Sequence, residues 1–190
     1  MLPIGPLMIE HRLIERMVGV IEAASQRIHA GEEADADLIL VIGDFMSVYA
    51  DKTHHGKEES ILFRELAKKT ISEEHRAAMR KLIAEHVWAR ERVTELTAAS
   101  RLVKGGNPGS VGELVRILDQ LAEFYPRHIW KEDRDFFVHV MDYFSDAEKE
   151  AILSEFREFD RLMIHQKYRG VVAACEGNGP GPQSGQPAQG

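Results

Sequence analysis

The chain has 190 residues, of which 44% are hydrophobic and 29% charged, a balance that suits one globular domain with a substantial core. Its net charge of −7 argues against attraction to nucleic acid or anionic membranes, so we expect neither as a partner. The single cysteine excludes an internal disulfide framework and favours a reducing compartment. Because no basic segment precedes a long apolar run at the N-terminus, we expect no signal peptide, no membrane span and a cytoplasmic location.

The dominant period of the sequence is helical. A first helix is predicted from about Leu7 to Ile28, where apolar residues at helical spacing form one stripe: Ile9, Leu13, Met17, Val20, Ile21, Ala24 and Ile28. Gly31 and a run of acidic residues end this helix. A second helix is predicted from about Asp37 to Lys69.

Two further helices follow with recognisable start signals. Ser72 suits the N-cap of a third helix, which runs to about Val103. Three glycines and a proline then interrupt the chain. Ser110 and Glu113 have the spacing of a capping box at the start of a fourth helix, which runs to about Met141.

The C-terminal part of the chain changes in character. Ser145 and Glu148 have capping-box spacing and begin a fifth helical segment that reaches roughly Cys175. The last residues are almost all Gly, Pro, Gln and Ser, so we expect them to be disordered. We therefore predict an all-α protein, an up-down-up-down four-helix bundle with an extra C-terminal helix, in three segments: a metal-binding bundle (1–144), a helical extension (145–176) and a disordered tail (177–190).

One short motif occurs twice. The stretches HHGKEE, beginning at His54, and HIWKED, beginning at His128, share the frame His-x-x-Lys-Glu-acidic. Residues four apart lie on one face of a helix, so Glu58 lies beside His54 and Glu132 beside His128. The repeat suggests that each copy supplies one His and one Glu to a single site between helices.

Histidines on the other two helices lie at the same depth in the predicted bundle. Counted from the helix ends at ~1.5 Å per residue, four histidines on four helices fall within about one turn of each other. Four imidazoles with two carboxylates beside them suit iron, manganese or zinc, and two carboxylates can bridge two cations. The predicted metal ligands are His11, His54, Glu58, His86, His128 and Glu132.

Two alternatives accompany this assignment. His55 and Glu59 form a competing pair, and apolar residues at seven-residue steps from His55 support that register. The internal repeat favours His54 and Glu58, because a phenylalanine then follows nine residues after His54 and after His128. The second alternative is a metal-free bundle, in which the buried polar layer has only mutual hydrogen bonds.

The segments that carry these residues resemble a known family. MIEHRLIERM, ADKTHHGKEESILF, AEHVWARE and YPRHIWKEDRDFF together are similar to hemerythrin-like (HHE cation-binding) domains, over about residues 7–144. The resemblance implies a four-helix bundle with a non-haem di-iron centre, oxo- or hydroxo-bridged, in which the glutamates bridge and the histidines are terminal ligands. Manganese and zinc fit the same donors.

The sequence departs from the oxygen-carrying members at one position. Those proteins have a His-x-x-x-His pair on the third helix, whereas the second position here is Arg90, which we expect to pair with a nearby acid. Six ligands then replace seven. The missing donor leaves a coordination position for an external ligand, unless another side chain, such as the tyrosine one turn before His128, fills it.

These observations predict a non-haem di-iron protein that binds or reacts with a small ligand (O₂, nitric oxide or peroxide) in sensing, detoxification or stress response. Whether it turns its ligand over stays open; if it is an enzyme, we expect an oxidoreductase acting on peroxide or nitric oxide. The alternative is an iron-storage or iron-responsive regulatory protein without catalysis.

Overall fold

The computed structural model describes residues 2–177, and these form helices and turns without a strand. The fold confirms the predicted all-α bundle with an extra C-terminal helix. None of the described helices is both long and apolar enough to cross a membrane. The predicted tail lies outside the described residues except for Gly177, the last residue of the fifth helix. The five long helices are α1 (Ile4–His29), α2 (36–66), α3 (Glu73–Lys104), α4 (111–143) and α5 (Asp146–Gly177).

Two of the helices contain wide, π-helical turns, in which hydrogen bonds join residues five apart. Both copies of the repeated sequence frame fall in or beside such turns. In α2, Ala36–Phe45 leads into π-helical Met46–His55 and Glu58–Phe63, and then Arg64–Leu66. In α4, Val111–Trp130 leads into π-helical Lys131–Phe136, then Phe137–Val140 and a 3₁₀ turn, Met141–Tyr143.

The bundle has two apolar clusters with a polar layer between them. Helix α1 packs mainly on α4, α2 on α3, and α3 on α4. One cluster surrounds Ile21, Leu96 and Leu118, and the other surrounds Leu62 and Phe137. On α1, α2 and α3 the predicted ligands lie between the residues of the two clusters. On α4, His128 lies beside Ile129, the last residue of the first cluster, and Glu132 lies between the clusters.

Two of the predicted helix starts are confirmed. The side chain of Ser72 caps α3 by accepting a hydrogen bond from a backbone N–H in its first turn. Before α5, the backbone N–H of Ser145 donates to Oε2 of Glu148 at 2.9 Å, and the N–H of Glu148 donates to Oγ of Ser145 at 3.3 Å. These reciprocal bonds form the capping box.

Two local predictions are wrong. The side chain of Ser110 makes no capping bond, because the chain enters α4 from a 3₁₀ turn, Pro108–Ser110, that Asn107 caps instead. On α1, three residues of the predicted stripe are exposed, and the buried face is Ile4, Leu7, His11, Ile14, Val18, Ile21, Ala24 and Ser25. The stripe followed apolar residues alone, whereas the true face includes a buried histidine and a buried serine.

Candidate metal centre

Side chains from all four bundle helices meet in the polar layer. They form two groups, and within each group the candidate ligand atoms lie within 4.8 Å of one another. Group A consists of His11, His54, Glu58 and Glu132. Group B consists of His55, His86 and His128. All of these residues are buried, so the structure brings the six predicted ligands together and adds His55.

Each glutamate faces both groups. Oε1 of Glu58 lies 3.2 Å from Nε2 of His54, and its Oε2 lies 3.5 Å from Nε2 of His86. Glu132 is arranged in the same way, with its oxygens 3.2 Å and 3.3 Å from one histidine of group A and one of group B. A carboxylate that points one oxygen at each of two sites is suited to bridging two cations.

Several buried polar atoms in this layer have no hydrogen-bond partner among the described residues. They are both oxygens of Glu58, Oε2 of Glu132 and Nε2 of His128. Burying such atoms unpaired is unfavourable by roughly 1–3 kcal/mol each. In addition, Nε2 of His11 and Nε2 of His54 are only 2.8 Å apart. Cations between the two carboxylates would satisfy all of these atoms, so the residues fit a two-metal centre.

The imidazoles present their other ring nitrogen, Nδ1, to carboxylates outside the layer. Because an ionised carboxylate only accepts, Nδ1 carries a proton, and Nε2 is the nitrogen that faces the centre and can bind a metal once it is deprotonated. This orientation by a carboxylate is typical of metal-binding histidines. The pairs, at 2.7–3.3 Å, are His11 with Asp133, His54 with Glu10, His55 with Asp51, His86 with Glu59, and His128 with Glu85.

Each of these outer carboxylates also contacts a cationic side chain. Arg90 serves two of them, with 2.6 Å contacts to Asp51 and to Glu59. The remaining pairs are Arg12 with Asp133, Lys57 with Glu10, and Lys131 with Glu85. The cations hold the carboxylates in place, so the orientation of every ring is supported from outside the layer.

The protonation of the donors follows from their neighbours. Burial and the charges of His86 and other neighbouring imidazoles lower the pKa of His55 well below its usual value. Burial opposes a charged His11, but the neighbouring carboxylates of Asp133 and Glu132 outweigh it and raise its pKa to about 10. The same balance raises the pKa of His86 to about 10. Metal binding would therefore release protons from this layer.

The wide turns of α2 explain how two adjacent histidines both reach the layer. Neighbours in an α-helix are about 100° apart around the axis, so one of two adjacent side chains normally faces away. His54 and His55 end a π-helical segment, and each is only 1% exposed. Both candidate His/Glu pairs of α2 therefore contribute to the layer: Glu58 belongs to group A, and Glu59 contacts Nδ1 of His86. The apolar spacing around His55 was the signal for the second register.

The presence of Arg90 in place of a histidine does not reduce the number of candidate metal ligands. Arg90 forms the predicted salt bridges, while the ring of His55 stacks on that of His86 with centroids 3.9 Å apart. The geometry thus offers seven donors, one more than the sequence count. Tyr125 lies outside both groups and lines a cavity of about 460 Å³, with Asp51 and Arg90 in its wall. Burial raises the pKa of the Tyr125 hydroxyl, which stays protonated.

The remaining histidines lie away from the layer, as expected for surface or boundary residues. His29 pairs with Asp119 at 3.0 Å, and Nδ1 of His75 lies 2.9 Å from the hydroxyl of Tyr143. The other two, His139 and His165, are exposed.

A helical bundle with histidines and glutamates clustered in its core belongs to the class of cation-binding bundle proteins. The family model of the hemerythrin HHE cation-binding domain matches residues 2–140, and the chain belongs to this family. The family and the His/Glu cluster together indicate metal binding. Comparison with curated proteins and with solved structures gave no match.

Proposed function

We propose that the chain is a non-haem di-iron protein that binds or reacts with a small ligand: O₂, nitric oxide or peroxide. The observation that supports this most directly is the pair of glutamates, each with one oxygen toward each histidine group. One iron would be held by His11 and His54 and the other by His55, His86 and His128, with Glu58 and Glu132 shared.

Bound iron supplies electron transfer and a position for an external ligand. Group A has two imidazoles and group B has three, so an ion held by group A would have fewer protein donors. We expect the small ligand on that side. Imidazole and carboxylate donors suit manganese and zinc as well as iron. The choice of iron therefore rests on the resemblance to the hemerythrin-like family.

The surrounding side chains would restrict what reaches the centre. Aromatic rings cover three of the imidazoles: Phe137 on His11, Phe124 on His128, and Phe63 on His86, with ring centroids 5.1–6.2 Å apart. The two apolar clusters close the layer above and below. Such walls exclude water and larger molecules and favour diatomic or peroxidic ligands.

The test is iron content and absorption of the full chain purified from iron-supplemented cells, before and after exposure to O₂, nitric oxide and peroxide. We expect about two irons per chain from the two donor groups and a spectral change with at least one ligand. His128→Ala should lose iron and the spectrum, whereas His139→Ala, an exposed histidine on the same helix, should retain both. A wild-type chain that binds no iron would refute the proposal.

Catalysis and regulation are distinguished by turnover. Repeated consumption of peroxide or nitric oxide would make the protein an oxidoreductase. The alternative is iron storage or an iron-responsive regulatory role without catalysis. The contact of Asp160 on α5 with Lys57 supports it, because Lys57 also contacts Glu10 and so links α5 to the centre. A regulatory protein would bind iron without turnover and change conformation on loading. The cytoplasmic location remains a prediction.

A further inference from the structure

The two copies of the sequence frame give the centre an internal two-fold pattern. Lys57 and Lys131 occupy the same position in their frames. Lys57 pairs with Glu10, which holds Nδ1 of His54. In the same way, Lys131 pairs with a glutamate that holds Nδ1 of His128. The halves therefore support corresponding imidazoles by the same lysine–glutamate contact.

Helix α5 breaks this symmetry. It packs mainly on the two π-helical segments of α2, and its Asp160 lies 2.7 Å from Nζ of Lys57. The side chain of Lys57 is 0% exposed and lies over the ring of Phe156 at 5.8 Å. Lys131, by contrast, is 30% exposed and contacts no second carboxylate among the described residues.

A buried ammonium group needs compensation from the groups around it, because transfer of a charge out of water is unfavourable. The two oxygens of Glu10 contact Lys57 and His54, one each. Without Asp160, Glu10 would be the only carboxylate to compensate the charge of Lys57. The carboxylate of Asp160 partly compensates the positive charge of Lys57. Oε2 of Glu10 therefore accepts from Nδ1 of His54 alone. Lys131 is partly exposed, so water solvates its charge.

We propose that Asp160 is a positioning residue for the metal centre. Through Lys57 and Glu10 it orients His54, so that docking of α5 and metal occupancy of group A stabilise each other. The inference rests on the proposed metal centre. Because linkage is reciprocal, loading of the centre tightens α5 on the bundle by the same factor by which docked α5 tightens metal binding.

The first measurement is Zn²⁺ affinity of the full chain by competition with a chromophoric chelator, with Zn²⁺ as a redox-silent probe. Asp160→Asn should weaken the binding of one ion by more than the control does, up to the roughly 10- to 100-fold range for loss of a direct partner of a ligand. The matched control is Glu155→Gln, which removes the carboxylate charge that pairs α5 with Arg64 at 2.7 Å and leaves Lys57 untouched. The control should leave Zn²⁺ affinity within about two-fold of wild type.

The second measurement is amide hydrogen exchange over residues 152–160, with and without Zn²⁺. Zn²⁺ should slow exchange there in wild type and in Glu155→Gln, and this protection should be lost in Asp160→Asn. Such a loss would not follow from a contact that only anchors α5.

A double-mutant cycle separates the relay from general loosening of α5. In a Lys57→Met background no buried ammonium remains, so adding Asp160→Asn should have little further effect on Zn²⁺ affinity. An equal effect in both backgrounds, or wild-type affinity in Asp160→Asn, would overturn the inference while leaving the metal centre intact. Failure of wild type to bind Zn²⁺ or iron would instead refute the metal centre itself.

Discussion

His55 supplies the third imidazole of group B, and its removal tests whether the second register of α2 contributes a ligand. We expect His55→Ala to retain less metal after dialysis than wild type, because group B loses one of its three imidazoles and binds its ion more weakly. His29→Ala, at an exposed site paired with Asp119, is the control and should keep both ions. Metal analysis after dialysis measures the difference. Undiminished metal in His55→Ala would show that His55 is only a neighbour.

Glu85 tests the outer carboxylates in the same way. It holds Nδ1 of His128 at 2.9 Å and contacts Lys131. We expect Glu85→Gln to weaken metal binding by roughly 10- to 100-fold, because a neutral amide orients and polarises the ring less well. Glu95→Gln, on the same helix and paired with Arg92 away from the layer, should leave affinity unchanged. Chelator competition on the two variants decides between a supporting role and a surface role for Glu85.

At the scale of elements, α2 and α3 approach each other closely at Gly43. A Cβ atom placed there would lie 2.7 Å from Oγ1 of Thr97. Although alanine is the better helix former by about 1 kcal/mol, we expect Gly43→Ala to lower the free energy of unfolding by ~1–3 kcal/mol through overpacking. Gly19→Ala, where no atom lies within 4 Å of the new methyl group, should instead be neutral or stabilising.

Urea unfolding of the single and double variants checks the cause of this effect. Thr97→Ala removes the hydroxyl that meets the new methyl group, so Gly43→Ala/Thr97→Ala should recover most of the lost stability. Additive losses would show that helix packing at Gly43 is not the reason.

The capping box of α5 has a pH dependence with a definite sign. Hydrogen bonds from Lys69 and then Ser145 lower the pKa of Glu148 from 4.5 to about 2. Its contribution to stability is therefore complete above about pH 4.5 and is lost as the pH falls toward 2. We expect Glu148→Gln to melt below wild type at pH 7 and the gap to close by pH 2. Glu150→Gln on the same helix is the control, and a gap independent of pH would contradict the assignment.

How far the sequence predicts these elements depends on where the determining signal lies. Ser145 and Glu148 act within one turn, so their spacing was sufficient. The π-helical turns around His55 depend on tertiary packing, and helical spacing alone therefore counted only one of the two adjacent histidines. The buried face of α1 was misplaced because His11 and Ser25 are buried by contacts with other helices.

For the whole molecule, the metal layer separates the two apolar clusters, and the bundle helices are joined across it mainly by ionisable groups. A ligand that binds only the folded state raises its stability by RT ln(1 + [L]/Kd), or ~2.7 kcal/mol at a free metal concentration 100 times Kd. We expect a chelator to lower the melting temperature accordingly.

Because both glutamates contact both groups, Glu58→Gln/Glu132→Gln should abolish this metal dependence. The control is Glu123→Gln, which is exposed on α4 and paired with Arg127 and should keep the metal dependence. Calorimetry with and without Zn²⁺ measures the shift, and an equal shift in all three proteins would place the stabilising ion elsewhere than in the layer.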